Sequence, residues 1–104
     1  MNDNISTAFK SFLNDAPNHA KCWKDLVEGL SEASALDPKT HNLAFISVLA
    51  ALRMKNGIPF HVKLAKESGA TRDEIISAIL VGLPPAGHVV TEVLPEGIKA
   101  YDDC

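Results

Sequence analysis

The chain has 104 residues, 46% of them hydrophobic, with 10 basic and 13 acidic side chains and a formal net charge of -3. That length holds one domain, residues 1–104, with a modest core, and self-association would hide part of the apolar surplus. Acids and bases are mixed along the chain. This excludes the basic footprint of a nucleic-acid binder and a polybasic membrane patch.

Cys22 and Cys104 are far apart, so neither a disulfide framework nor a CxxC redox or metal spacing is present. The N-terminal stretch lacks a basic segment followed by an apolar run, so no signal peptide is expected. Apolar stretches are interrupted by polar residues short of a membrane span. The expectation is a cytoplasmic protein without membrane or nucleic-acid partners.

Ile5, Ala8, Phe9, Phe12 and Leu13 recur at helical spacing and predict a first short helix, ended near Asn14–Pro17. Pro17 suits the first turn of a second helix, whose stripe is Trp23, Leu26, Val27, Leu30 and Ala33. Asp37-Pro38 is a side-chain cap followed by proline. It opens a third helix, to about Lys55, that is apolar nearly all round and therefore expected to be buried on most sides. Asn56-Gly57 is read as its end, with Gly57 in the left-handed conformation.

A fourth helix runs from about Ile58-Pro59 to Ser68-Gly69. Thr71-Arg72-Asp73-Glu74 is a capping box that opens a fifth, striped by Ile75, Ile76, Ile79, Leu80 and Leu83. Pro84-Pro85 ends the fifth and begins a sixth, in which Pro95 predicts a kink or an early end. The tail Asp102–Cys104 is expected to fray. No segment alternates with period two, so the fold class is all-α, with about six helices.

His61 is the most suggestive chemical group. At 100° per residue it lies opposite Lys63, Lys66 and Glu67, so it points inward. A buried neutral imidazole needs partners for its ring nitrogens, which a core contact or a ligand could supply. His88 falls on a face with Glu92, Glu96 and Lys99 and reads as a surface i,i+4 pair, or as a group carried to a neighbouring subunit. His19 and His41 have no partner at metal-ligand spacing. No metal site and no cofactor are expected, and no phosphate loop or nucleophile elbow occurs.

The segments LDPKTHNLAFISVLAAL and HVKLAKESGATRDEIISAILVGL resemble the carboxymuconolactone decarboxylase family, which includes the alkylhydroperoxidase D-like proteins. The resemblance covers about Ala16 to Asp102. It implies a helical bundle that assembles as a homo-trimer or homo-hexamer. The peroxidase branch of the family uses Cys-x-x-Cys-x-x-x-His, an upstream glutamate and a second histidine. With His61 as the family histidine, those places hold Met54 and Gly57 for the cysteines, Asn42 for the glutamate and Asn56 for the histidine.

Methionine and glycine supply no thiolate, so peroxiredoxin-type activity is disfavoured despite the family label. The decarboxylase branch lacks the cysteine pair. That branch implies lyase-type proton transfer on a small organic acid or lactone, with His61 as general acid or base. Arg53 is the candidate to hold a substrate carboxylate, because its planar fork matches one. His88 is the second binding candidate, through a subunit contact. A non-catalytic oligomer or small-ligand binder is the competing expectation.

Overall fold

A computed structural model describes residues 6–104. Residues 1–5, which include Ile5 of the first predicted helix and the start of the stretch weighed above as a signal peptide, lie outside the described residues. Every regular element among the described residues is helical: α1 (Thr7–Asp15), α2 (Pro17–Ala33), α3 (Pro38–Ala51), α4 (Ile58–Glu67), α5 (Arg72–Leu80), the single turn α6 (Leu83–Ala86) and α7 (Leu94–Asp103). Short 3-10 segments, Lys55–Gly57 and Gly87–Val93, join α3 to α4 and α6 to α7. The fold class is all-α, as the periodicity predicts.

Several helix starts follow from local chemistry. The Asp37 carboxylate accepts hydrogen bonds from the backbone N–H and the hydroxyl of Thr40, at 2.8 and 3.0 Å, and Pro38 needs no partner at the first position. Thr71 Oγ1 accepts from the Glu74 N–H at 3.1 Å, and the Glu74 carboxylate accepts from the Thr71 N–H at 2.9 Å. This is the expected capping box. Lys39 Nζ also reaches Glu74, at 3.0 Å, and Ser47 Oγ donates to the Ala78 carbonyl at 2.7 Å, so α3 is fastened to α5 at two points.

The core lies among α3, α4, α5, α7 and the second 3-10 segment. Ile46, Ile58, Val62, Ile75, Ile79, Val90 and Val93 are fully buried there. Gly97 lets α7 close on α5, since a Cβ at that position would stand 2.6 Å from Ile79 Cδ1. The apolar stretch within Arg72–Asp103 includes a window of mean hydropathy 1.4, enough by composition to cross a membrane. It is not one straight rod. Gly87, with φ +79, and the 3-10 segment fold it back onto α3 and α4.

The end of α3 corrects the sequence reading. The helix stops at Ala51 rather than near Lys55, and Gly57 is right-handed, with φ -85. The left-handed position belongs to Arg53, with φ +60. The Met54 N–H bonds the Leu49 carbonyl at 2.9 Å and the Arg53 N–H bonds that of Ala50 at 3.2 Å, the crossed pair of a Schellman stop. Glycine is the usual occupant of such a position, so an arginine there gives no stop signal in the sequence, whereas Gly57 does.

Other departures follow from tertiary packing. α3 is not buried on most sides: Ile46, Leu49 and Ala50 are, whereas Phe45, Val48 and Leu52 are exposed. The stripe of α2 is likewise open, with Leu30 61% exposed, and Trp23 meets Phe9 and Phe12 of α1 edge-on. Pro95 opens α7 in its first turn instead of ending a helix. The C-terminal tail is tied down: Arg72 forks onto Asp102 at 3.0 and 3.3 Å, and Lys66 Nζ holds the carbonyls of Tyr101 and Cys104 at 2.8 and 2.9 Å.

Candidate functional site

His61 projects from the first half of α4 towards α3, as its phase predicts. Its ring stacks on Phe45, with centroids 4.0 Å apart and an interplanar angle of 16°, and the edge of Phe60 meets it at 5.2 Å. Two aromatic walls therefore fix the imidazole plane. Phe45 is 40% exposed, so the cluster opens to the surface along α3. His41, one turn before Phe45 on the same helix, approaches that phenyl ring at 6.1 Å. The constellation is His41, Phe45, Phe60 and His61.

The electrostatics of His61 follow from this setting. Burial against the aromatic rings lowers its pKa below the ordinary histidine value, and the charge of His41 lowers it further. The imidazole is accordingly neutral at pH 7. Nδ1 is sealed from solvent with no hydrogen-bond partner among the described residues, whereas Nε2 is not sealed in this way. An unpaired buried N–H is rarer in proteins than an under-satisfied acceptor. The tautomer that leaves Nδ1 bare and puts the proton on Nε2 is thus favoured, and His61 presents a donor at its accessible edge.

The remaining expected residues do not converge on this cluster. Arg53 is 66% exposed on its side chain, and its guanidinium lies 3.9 Å from Glu92. His88 is exposed in the second 3-10 segment, where its carbonyl accepts from Thr91 Oγ1 at 2.7 Å. Because that segment is not α-helical, the i,i+4 pairing of His88 with Glu92 does not form, and Glu92 turns to Arg53 instead.

The positions that correspond to the peroxidase pattern are equally informative. Met54 and Asn56 are exposed, Asn42 is half-buried, and a Cβ on Gly57 would stand 3.3 Å from Leu49 Cδ1. Both cysteines, Cys22 on α2 and Cys104 at the end of α7, are exposed free thiols away from these places. No group of three or more His, Cys, Asp or Glu side chains suited to a metal occurs among the described residues. Sequence reasoning missed His41 and Phe45 as site residues. Their i,i+4 spacing on α3 was a usable signal, but His41 was weighed only as a metal ligand and Phe45 only as core.

An all-helical domain with an inward histidine on a short helix, followed by a glycine stop and a capping box, defines a recognisable class. Residues 17–94 match the carboxymuconolactone decarboxylase family, and the chain belongs to that family. No match was found to a curated protein or to a solved structure.

Proposed function

We propose that this protein is an acid–base enzyme of the lyase type, acting on a small organic acid or lactone, with His61 as the proton-donating group. The observation that carries this reading is the His61 imidazole itself. It is held in one plane by Phe45 and Phe60, kept neutral by burial, and left with one accessible ring nitrogen. A neutral imidazole that donates a hydrogen bond can polarise a carbonyl or carboxyl oxygen, and can protonate a carbanion or enolate as it forms.

Family membership supports the same reaction class, since the decarboxylase branch dispenses with cysteines. The peroxidase alternative finds no support at Met54 and Gly57, which carry no thiol. A carboxylate to orient His61 is also missing among its neighbours, and Asn42 stands where the peroxidase branch has its glutamate. That observation favours the second reading, a non-catalytic small-ligand binder. Self-association as a trimer or hexamer and a cytoplasmic location belong to both readings.

The test is turnover of carboxylated lactones and keto acids, followed by loss of ultraviolet absorbance or release of carbon dioxide. Wild-type protein is expected to turn over at least one of them, and His61→Ala to lose about 100-fold or more in rate while its circular dichroism is unchanged. Wild-type protein with no turnover across the panel, or a His61→Ala variant of equal rate, would overturn the enzymatic reading.

A further inference from the structure

We infer that a groove between α4 and α7 binds a small zwitterion, an ω-amino acid whose ammonium meets Glu96 and whose carboxylate meets Lys63. This groove is separate from the histidine cluster. Pro59 and Lys63 line it from α4, and at 100° per residue both stand close to half a turn away from His61. Its volume is about 540 Å³, within the range of small-molecule sites. Pro59 and, from α7, Ala100 give it an apolar lining.

The charges of the groove point to a ligand that carries both signs. Lys63, Glu96, Lys99 and Asp103 line it, and their formal charges cancel. That balance favours neither a plain anion nor a plain cation. Lys99 and Asp103 are committed to each other at 2.6 Å. Lys63 and Glu96 take part in none of the ion pairs among the described residues. Two opposite charges on two helices therefore face one cavity without meeting.

Glu96 also lacks a donor. Its Oε2 is sealed from solvent and has no hydrogen-bond partner among the described residues. The residue lies in the first turn of α7, where the helix N-terminus favours a negative charge but sends no N–H to that oxygen. A buried acceptor left unsatisfied is costly, so the site is short of one donor. An ammonium in the groove lets the carboxylate turn towards it and form a charge-assisted bond. The carboxylate at the other end of the ligand reaches Lys63, and methylenes between the two cover Pro59 and Ala100. Because Lys63 and Glu96 do not meet, a hydrocarbon spacer suits them better than two charges on one carbon.

The probes are γ-aminobutyrate, δ-aminovalerate and ε-aminocaproate, each compared with the plain amine and the plain acid of the same length. Amide resonances of labelled protein report where they bind. The best of the three is expected to give saturable shifts around Lys63 and Glu96. At low salt it should bind about fivefold or more tightly than either single-charge counterpart. Glu96→Gln keeps the shape of the side chain and should abolish that advantage. Lys63→Met should abolish it too, whereas Lys63→Arg should retain it, since only the cation is needed. No saturable shift with any of the three, equal binding of the single-charge compounds, or unchanged affinity in Glu96→Gln would overturn the inference. These titrations require no turnover, so their outcome is independent of the enzymatic reading of His61.

Discussion

His61 shows how much a single side chain can be read from phase. The 100° arithmetic placed it away from Lys63, Lys66 and Glu67, and it does face α3. Its partner on α3 was not legible, because the meeting with Phe45 depends on how two helices pack and not on spacing within either. The burial that lowers its pKa also makes it a sensor of acid. The unfolded chain protonates His61 at the ordinary value, and the folded chain resists protonation until lower pH. Its contribution to stability is therefore complete above the ordinary value, and is lost as pH falls through that value towards the folded one. Thermal unfolding from about pH 7.5 to about pH 5.5 should show a falling midpoint, with a shallower decline in His61→Gln. Parallel declines in both proteins would remove His61 as the cause.

Elements were legible where their signals were local. The Asp37 and Thr71 caps form as their sequences specify, because a cap is chemistry among four consecutive residues. The stop after α3 was misread because an arginine occupies a position that glycine normally fills. Left-handed backbone costs an ordinary residue about 1–2 kcal/mol. The ion pair of Arg53 with Glu92 is long and exposed, and returns little of that. Allowing for the extra freedom of glycine in the unfolded chain, Arg53→Gly should raise stability by about 0.5 kcal/mol. Chemical denaturation checks this, and a loss of stability would show that Arg53 makes a contact more valuable than its backbone strain. The second 3-10 segment misled in another way, since it put His88 and Glu92 out of the α-helical phase on which their pairing depended.

At the scale of the whole molecule, the apolar surplus noted in the composition does not disappear on folding. Leu26, Leu30, Val48, Leu52 and Val81 remain exposed, with Val81 at 65%. Scattered apolar residues are normal, but a full helical stripe left open is the mark of an interaction surface. Sedimentation at micromolar concentration is expected to give a mass well above the 11.2 kDa of one chain. Leu26→Glu with Leu30→Glu should move the protein towards that single-chain mass, because burying two carboxylates opposes association. A monomeric wild type would contradict the trimer or hexamer that the family suggests. Sequence alone showed that the stripe exists. It could not show that the chain's own core leaves it uncovered, since that depends on where α2 lands.

The hairpin of α1 and α2 carries this further. The two helices pack chiefly on each other, joined by Phe9, Phe12 and Trp23, while α3 to α7 build the core without them. At nine residues α1 is marginal on its own in water, and α2 leaves most of its apolar stripe uncovered. Their order therefore depends on whatever covers their apolar side. If that cover is another copy of the chain, the protein acquires two folding steps of different kinetic order. The core would collapse at a rate independent of concentration, and the arm would become rigid only as fast as chains encounter one another. Dilution would then loosen the first third of the molecule well before it disturbed the histidine site.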